Sequence, residues 1–234
     1  MKVAAWNWEF SSARGRSFPQ LRRRLAEQGP DISILSEVCT NAIPDGQAIL
    51  GASDWGYVSE EHHRKIALVS KTHWEDVIAP VESRPLKGRV VSGLTSIEGA
   101  DYRVVGVCIP WFGCHVSTGA RDQDPWGEHK HFIAALGDFL SPILTGSAPF
   151  ILGGDFNQTF PRTKADIDAY EALLRLLSNL GLTLATADLS LEGRLLNHIA
   201  VRGVGQGTAT RLNNMSGGKQ LTDHIGVVME LSDA

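Results

Sequence analysis

The chain has 234 residues, 43% of them hydrophobic, and a formal net charge of −4 at pH 7. This length and hydrophobic content suffice for one sizeable core and predict a single domain over residues 1–234. The acidic balance excludes a protein coated in basic surface, and no stretch approaches the ~18 uninterrupted apolar residues of a membrane span. Because there is no secretory signal pattern after Met1 and no close cysteine pair, we expect a cytoplasmic monomer without a disulfide framework.

Short apolar segments separated by turn-forming residues predict strands along the whole chain. The predicted strands cover residues 3–6, 32–36, 66–70, 90–97, 102–109, 150–152, 197–201 and 225–231. Between them, apolar residues at helical spacing predict helices at Phe18–Gln28, His129–Leu140 and Ile167–Leu180, the first of which stops at Gly29-Pro30. Since strands dominate and helices are scattered among them, we expect an α/β or α+β sandwich with helices outside the sheets.

Polar side chains gather where four of these strands begin or end. In "AWNWEF", Asn7 and Glu9 fall on one face because strand side chains alternate. The other three places hold Glu37 in "SEV", Asp155 and Asn157 in "GGDFN", and Asp223 and His224 in "TDHIGVV". A lone carboxylate after a strand is more often a turn or helix cap than a catalyst, but four such places in this order favour a catalytic site.

The succession of "WNWE", "SEV", "KIALVSK", "YRVVGVCIP", "GGDFN" and "TDHIGVV" resembles the endonuclease/exonuclease/phosphatase superfamily over nearly the whole chain. The "GDFN" and terminal "DH" elements are the most specific parts of this resemblance. It implies a four-layered α/β/β/α sandwich, in which two mixed β-sheets pack face to face with helices outside. It also implies a phosphoesterase site at one sheet edge that depends on Mg²⁺ or Mn²⁺. The strand and helix pattern agrees with this fold but does not select it.

The resemblance assigns oxygen ligands for the divalent cation. Glu37 is the first choice as a ligand. Asn7 and Glu9 match positions on the first strand that bind the metal or orient its shell, and Asp223 matches an acidic position near the C-terminus with the same role. A hard cation on oxygen ligands neutralises a phosphodiester and polarises its phosphoryl group, which attack by hydroxide on an anion requires.

The resemblance also assigns the catalytic groups. Asp155 matches the aspartate that positions or deprotonates the nucleophilic water, and Asn157 matches the amide that binds the phosphoryl oxygens. His224 matches the histidine that hydrogen-bonds the phosphoryl group and, if cationic, stabilises its developing charge. An apolar strand that ends in this carboxylate and amide therefore holds a base and an oxyanion donor on one side.

Two positions depart from the superfamily pattern. In "LLNHIAV", Asn197 stands where relatives usually carry an aspartate that orients the catalytic histidine; its amide can accept a ring N–H but brings no negative charge. The alternative is that His224 acts neutral, or that Asn197 only packs at the strand end while another acid, such as Asp188 or Glu192, supplies the charge. Cys108 stands where many relatives place Tyr or His as a donor toward the phosphate, and a thiol is a poor replacement.

Several other side chains have a simpler interpretation. Cys108, Cys114 and His115 fit no common zinc spacing, so a buried strand cysteine is the favoured interpretation there. We interpret His129 and His131 as solvated loop or helix residues, and the arginines of "LRRRL" at residues 21–25 as the solvated face of an amphipathic helix.

Three segments are candidates for substrate recognition. They are "SSARGRSF" with Arg14 and Arg16, residues 111–126 with Trp111 and Arg121, and the connection over residues 202–222 with Arg211 and Lys219. Residues 193–222 carry four basic side chains and no acid, so the approach to Asp223 and His224 is locally positive. This pattern favours an anionic substrate.

The favoured function is divalent-metal-dependent hydrolysis of phosphodiester bonds, nuclease-like, with DNA or RNA as candidate substrates. Phosphate recognition alone does not separate a nucleic acid from a small phosphorylated molecule or a lipid headgroup. An alternative of a different class is a weakened relative that binds nucleic acid or a phosphate ligand, motivated by Asn197 and Cys108. Because the assigned metal ligands and the base are all present, activity is favoured.

Overall fold

The structure is a computed structural model that describes residues 1–116, 122, 124–146, 148–189 and 194–232. Within these residues the helices are α1 (Phe18–Gln28), α2 (Gly127–Ile143) and α3 (Ile167–Asn179), with a short 3₁₀ helix at Thr40–Ala42. The strands are β1 (Lys2–Ser11), β2 (Ile32–Cys39), β3 (Gln47–Leu50), β4 (His63–Ser70), β5 (Trp74–Ile78), β6 (Val90–Ile97), β7 (Ala100–Cys108), β8 (Phe150–Asp155), β9 (Thr183–Leu184), β10 (Asn197–Arg202), β11 (Gly205–Leu212), β12 (Met215–Ser216), β13 (Lys219–Gln220) and β14 (Gly226–Ser232).

The described strands form two six-stranded sheets and a small ribbon of β12 and β13. The first sheet has the order β11-β14-β1-β2-β4-β3, and the second has the order β5-β6-β7-β8-β10-β9. Both sheets are mixed: β1 is parallel to β2 and antiparallel to β14, while β8 is parallel to β7 and antiparallel to β10. The carboxyl ends of β1, β2 and β8 and the amino ends of β10 and β14 therefore lie at the edge where the polar residues occur.

Buried apolar side chains fix the order of the layers. Ile34 and Leu68 of the first sheet share one core with Val104 and Ile151 of the second, so the sheets pack face to face. Outside the second sheet, α2 and α3 cover a separate core that includes Phe150. Full burial of each such side chain contributes about 1.5–3 kcal/mol. The predicted four-layered sandwich is confirmed.

Helix α1 covers the outer face of the first sheet. It buries Leu21 and Leu25, four residues apart, against the β1 and β2 side of that sheet. It ends at Gly29, whose φ of 60° and ψ of 43° lie in the left-handed region that glycine adopts without steric cost. The predicted bounds of this helix are confirmed.

None of the helices in the described part of the chain combines the length and the apolar character that a membrane span needs.

The segment of residues 202–222, predicted as a connection, contains β11 and the β12–β13 ribbon, so that prediction is wrong. β11 is an edge strand in which four of the eight residues are exposed, and it pairs only with β14 in the described sheet. Its sequence, "GQGTATRL", lacks the apolar face by which a half-buried strand is recognised. A neighbouring strand, rather than its own side-chain pattern, selects the extended conformation.

Candidate active site at the sheet edge

The end of β1 and the loop before β14 are joined by hydrogen bonds across the first sheet. The indole Nε1 of Trp6 donates to the backbone oxygen of His224 at 3.0 Å, and Thr222 Oγ1 donates to the backbone oxygen of Asn7 at 2.9 Å. These bonds connect residues more than 200 positions apart in the chain. They place His224 beside Asn7 at the edge where β8 ends.

Asp155 is the centre of a group of polar residues that we term the Asp155 cluster, consisting of Asn7, Asp155, Asn157, Asn197 and His224. Its Oδ2 accepts hydrogen bonds from Asn7 Nδ2 at 3.0 Å and from Asn157 Nδ2 at 3.2 Å, and its Oδ1 accepts from the Asn157 backbone N–H at 3.0 Å. His224 Nε2 lies 3.8 Å from Oδ2. The carboxylate is only 1% exposed and is held by neutral donors.

Burial raises the pKa of the Asp155 carboxyl above its ordinary value. His224 and the hydrogen bonds from Asn7 and Asn157 oppose this rise, whereas the charge of Glu37 adds to it. Loss of water disfavours the charged form of a carboxyl, and neutral amide donors compensate only in part. Asp155 is therefore a stronger base than an exposed aspartate.

Asn157 donates both of its amide hydrogens to protein oxygens. One goes to Asp155 Oδ2, and the other goes to the Ile109 backbone oxygen at 2.8 Å. This geometry makes Asn157 a support for the carboxylate. Its predicted role as a donor to phosphoryl oxygens remains a prediction, and it would require one of these bonds to be exchanged.

Asn197 lies opposite Asp155 in the β8–β10 pair and beside His224. Its Nδ2 donates to the Ile225 backbone oxygen at 2.9 Å and lies 3.5 Å from His224 Nδ1, while its buried Oδ1 has no hydrogen-bond partner. The expectation that the carbonyl oxygen faces the ring is wrong, because the Ile225 carbonyl attracts the amide nitrogen to that side.

Acidic side chains lie near the Nε2 side of the His224 ring. Among the described residues, the carboxylates within 4 Å of the ring nitrogen Nε2 belong to Asp223, at 3.4 Å, and Asp155, at 3.8 Å. Asp188 is exposed, and Glu192 lies outside the described residues. The charge beside the ring is therefore supplied from its Nε2 side.

Glu37 belongs to a second group, the Glu37 cluster, consisting of Phe10, Glu37, Trp55, His63 and Lys65. Lys65 Nζ lies 2.5 Å from Glu37 Oε1, and the two side chains are 14% and 21% exposed. The same ammonium lies 5.1 Å from the ring centroid of Phe10 and 5.8 Å from that of Trp55. Phe10 stacks on His63 with centroids 4.2 Å apart. The Glu37 carboxylate is thus held by a partly buried cation.

Four residues of the candidate site have left-handed backbone conformations that non-glycine residues rarely adopt. Their φ values are 48° for Glu9, 51° for Phe10, 50° for Glu37 and 52° for Asn157. The β1–β2 register also shifts between Asn7 and Ser11. Such conformations cost about 1–3 kcal/mol each and concentrate at functional sites, where they redirect side chains.

The predicted metal ligands offer hard oxygen atoms, which is the donor chemistry that Mg²⁺ and Mn²⁺ prefer. Asn7 Oδ1 accepts from the Glu9 backbone N–H at 2.8 Å, and Glu9 Oε2 accepts from the Asp223 backbone N–H at 3.1 Å. Within the described ranges, no three His, Cys, Asp or Glu side chains converge as a complete metal centre. The donor set fits an ion such as Mg²⁺, which is often held by one or two carboxylates together with water and substrate phosphate.

A cavity of about 870 Å³ adjoins the Asp155 cluster at Asn157. Its walls include the aromatic side chains of Phe112, Trp126 and Phe160, and Lys164 and Arg194 contribute positive charge. This combination of apolar walls with a few charged groups is typical of small-ligand sites. Sequence reasoning included Arg194 in a positive segment but missed the cavity, whose walls come from segments far apart in the chain.

Solved structures resemble this chain over nearly its whole length. An endonuclease/exonuclease/phosphatase from Beutenbergia cavernae has a TM-score of 0.71 at 14% identity, covering 100% of this chain and 71% of that one. A 3' phosphatase from Neisseria, bound to product DNA hairpin, has a TM-score of 0.70 at 19% identity with 99% of both chains covered. An AP endonuclease from Archaeoglobus fulgidus has a TM-score of 0.69 at 17% identity with 98% of both chains covered.

The chain has the endonuclease/exonuclease/phosphatase fold. No protein-family model matches its sequence, and no curated protein sequence matches it significantly. The identity to the solved structures is below the level at which activity transfers with the fold, so the fold is shared while the chemistry has to be argued from this chain's own residues.

On the endonuclease/exonuclease/phosphatase fold, the predicted substrate-binding residues occupy separate surfaces. Arg14 and Arg16 are exposed in the loop after β1, and Lys219 is exposed on β13. Arg211 lies on β11 opposite Val227. Trp111 is 50% exposed and makes an edge contact with Phe112 at 4.8 Å between centroids. Arg121 lies outside the described residues. Their roles in substrate binding remain predictions.

Two buried histidines lie beneath the cavity of this fold. His129 Nδ1 lies 2.7 Å from the Pro110 oxygen and its Nε2 lies 2.6 Å from Gln158 Nε2, while His198 Nε2 lies 3.0 Å from the Gln158 backbone oxygen. Burial lowers the pKa of each histidine to about 4. The interpretation of His129 as solvated is wrong, because α2 turns this residue toward the β8 loop.

The three cysteines are buried and free. Cys108 is buried opposite Asp155 in the β7–β8 pair, and burial raises the pKa of its thiol. The expectation of a buried strand cysteine is confirmed.

On α1, Arg22 pairs with Asp45, and Arg24 donates to backbone oxygens at Asn213 and Met215. Arg24 therefore ties the helix to the segment after β11.

Proposed function

We propose that this protein is a divalent-metal-dependent hydrolase of phosphoester bonds that acts on phosphodiesters in a nuclease-like manner. The observation that carries the proposal is the buried Asp155 carboxylate, whose Oδ2 accepts from Asn7 and Asn157 and lies 3.8 Å from His224 Nε2. A buried base beside a histidine suits attack by water on a phosphorus centre. Among the similar structures are a 3' phosphatase bound to product DNA hairpin and an AP endonuclease, which supports this substrate class.

Asp155 would act as the general base. Its raised pKa gives it the proton affinity to accept a proton from water. The side-chain amides of Asn7 and Asn157 fix its Oδ2, and the backbone N–H of Asn157 fixes its Oδ1. A positioned base of this kind contributes about 10²–10⁴-fold in rate. The amide donors are neutral, so they hold the carboxylate in place without neutralising it.

His224 would donate a hydrogen bond to the phosphoryl group. Because Asn197 Nδ2 faces Nδ1 of the ring at 3.5 Å, Nδ1 is placed as an acceptor and the ring proton belongs on Nε2. That nitrogen points to the side where Asp155 and Asp223 lie. A phosphoryl oxygen bound there would accept a hydrogen bond from the Nε2–H of His224.

The metal would be held by Glu37, with the amide oxygen of Asn7 beside it. The Asp223 backbone N–H donates to Glu9 Oε2, and the carboxylates of both residues would orient water at the exposed side. When bound, the cation neutralises the phosphate charge and polarises the phosphoryl group. Glu37 and Asp155 would thus divide the work, one holding the ion and the other accepting the proton.

The cavity supports a substrate with a ring next to the phosphate, because it has aromatic walls and two cationic side chains and reaches the Asp155 cluster at Asn157. A nucleotide unit within DNA or RNA has this composition. A volume of about 870 Å³ also favours, as a second candidate, a free small phosphorylated molecule with an aromatic or sugar ring.

A panel of substrates tests the proposal: duplex and single-stranded DNA, DNA with an abasic site or a 3' phosphate, RNA, and small phosphate monoesters and diesters. Each is assayed with Mg²⁺, Mn²⁺ or EDTA. The control variant is Asp138→Asn, which removes an exposed acid of α2. We expect hydrolysis of at least one class that EDTA abolishes, that Asp155→Asn greatly reduces and that Asp138→Asn leaves unchanged. Full activity of Asp155→Asn on the preferred substrate would contradict the proposal.

A further inference from the structure

Lys65 is a cation that the chain itself places on the predicted metal ligand. It lies in β4 opposite Glu37 of β2, between the register pairs Ser36–Ile66 and Val38–Arg64. Because both side chains occupy the same face of adjacent strands, their charged ends meet at 2.5 Å. The contact therefore follows from the register of the sheet and does not depend on a mobile loop.

The surroundings of the ammonium distinguish it from an ordinary surface lysine. Exposed ion pairs such as Lys71 with Asp31 have a lysine side chain that is 58% exposed, whereas that of Lys65 is 14% exposed. The rings of Phe10 and Trp55 lie within 6 Å of Nζ, at distances where the face of an aromatic ring attracts a cation. Phe10 is itself held by stacking on His63 and Trp55.

The position of Nζ conflicts with simultaneous occupancy by a divalent ion. An ion on Glu37 would take the same carboxylate that the ammonium occupies, and the two positive charges would lie a few ångströms apart in a partly buried place. Like charges at that separation repel strongly where water is limited. Lys65 is near enough to the site core that its charge also acts on the buried thiol of Cys108, as do the charges of Asp155 and Glu37.

We propose that Lys65 is an internal counter-cation of Glu37, and that a divalent ion binds Glu37 only by displacing the Lys65 ammonium. This inference rests on the proposed function, because it takes Glu37 as a metal ligand. Lys65 thereby sets the affinity of the site: the metal binds more weakly than it would to the same carboxylate without a lysine. The displaced ammonium remains tethered beside the site by the Phe10 and Trp55 rings.

Isothermal titration with Mn²⁺ tests the proposal without any substrate. The proteins are the wild type, Lys65→Met, Lys65→Arg and Glu37→Gln. The matched control is Lys71→Met, which removes a lysine from another carboxylate pair and changes the net charge equally. We expect Lys65→Met to bind Mn²⁺ at least ~10-fold more tightly than the wild type, given the repulsion between like charges a few ångströms apart. Lys65→Arg and Lys71→Met should bind as the wild type does, and Glu37→Gln should bind more weakly.

Two results would overturn the proposal. One is Mn²⁺ affinity of Lys65→Met that is equal to or weaker than that of the wild type. The other is tighter binding by Lys71→Met to the same extent, which would make the effect one of net charge. If Lys65→Met fails to fold by circular dichroism, Lys65→Gln provides the same comparison. The proposed function fails separately, through hydrolysis that persists in EDTA or that does not depend on Asp155, so the two failures are distinguishable.

Discussion

The Asp155 cluster and the Glu37 cluster both hold a carboxylate at a strand end, but with different partners. Asp155 is almost fully buried and receives hydrogen bonds from the neutral amides of Asn7 and Asn157. Glu37 is partly exposed and pairs with the ammonium of Lys65. Neutral donors leave the first carboxylate able to accept a proton, whereas the Lys65 ammonium occupies the second, where we propose that a divalent ion has to displace it. The neighbours of a carboxylate, more than its position in a motif, decide its chemistry.

The largest effect is expected from substitutions that separate these two roles. Asp155→Asn should lower kcat by ~10²-fold or more, the usual scale for loss of a positioned base, while Mn²⁺ binding persists. Glu37→Gln should instead weaken Mn²⁺ binding, since it removes the carboxylate charge. Steady-state kinetics and Mn²⁺ titration of both variants make the measurement, with Asp138→Asn as the control. If both variants lost metal binding equally, the division between the clusters would be wrong.

The sequence predicted which polar residues end the strands of the candidate site better than it predicted which side chains surround those residues. Polar residues after apolar runs located Asn7, Glu37 and Asp155, because the period of a strand and the position where it stops are local properties. Lys65 was missed because its contact depends on which strand pairs with β2 and in which register, and neither is written in β4 alone. His129 was missed for a related reason, since its helix face is buried by the β8 loop.

Acid should affect the side of the molecule that carries the Asp155 cluster, through His129 and His198. Both rings have pKa values lowered to about 4 from 6.5, and Gln158 Nε2 faces His129 Nε2 where an added proton would lie. A base with a lowered folded-state pKa contributes stability above the unfolded value of about 6.5. That contribution is lost as the pH falls toward 4.

At pH 5 we expect each histidine to reduce the free energy of unfolding by about 2 kcal/mol relative to pH 7. Urea denaturation at both pH values measures it. His129→Gln should reduce the difference in the free energy of unfolding between pH 7 and pH 5, although it lowers stability at pH 7. His131→Gln, on the exposed face of α2, should leave that difference unchanged. An unchanged slope in His129→Gln would show that acid acts elsewhere.

Basic residues on two surfaces, the cavity beside the Asp155 cluster and the segment of β11 and β13, should contact substrate. Their replacement should change KM by less than the loss of Asp155 changes kcat. Lys164 and Arg194 line the cavity beside Asn157, whereas Arg211 lies on β11 at the edge of the first sheet and Lys219 lies on β13 of the separate β12–β13 ribbon. Contacts to phosphate that exist in both ground and transition states change KM more than kcat. Replacing Lys164 and Arg194 together by alanine should raise KM by ~10-fold, and replacing Arg211 and Lys219 by ~3-fold. Michaelis curves at two salt concentrations measure both, and the reverse order would place the substrate along the first sheet.

The smallest effect is expected at Asn197, where two consequences of an aspartate oppose each other. A carboxylate at residue 197 would accept the ring N–H from Nδ1 of His224 and attract positive charge on the ring, which favours a phosphoryl-binding histidine. The same change removes the donor to the Ile225 oxygen and adds a second buried carboxylate opposite Asp155. Asn197→Asp should therefore raise kcat only ~3-fold while lowering the free energy of unfolding by about 1–3 kcal/mol.

The test of this mechanism is whether the gain depends on the ring. We expect Asn197→Asp to raise kcat in the wild-type background and to have no such effect when His224 is replaced by Gln, because the added charge acts through the imidazole. Urea denaturation of the same four proteins separates the effect on stability, which the loss of the bond to Ile225 produces in both backgrounds. A gain in kcat that persists with Gln at residue 224 would mean that the carboxylate acts on Asp155 or on substrate directly. In that case Asn197 would belong to the surroundings of the base and not to those of the histidine.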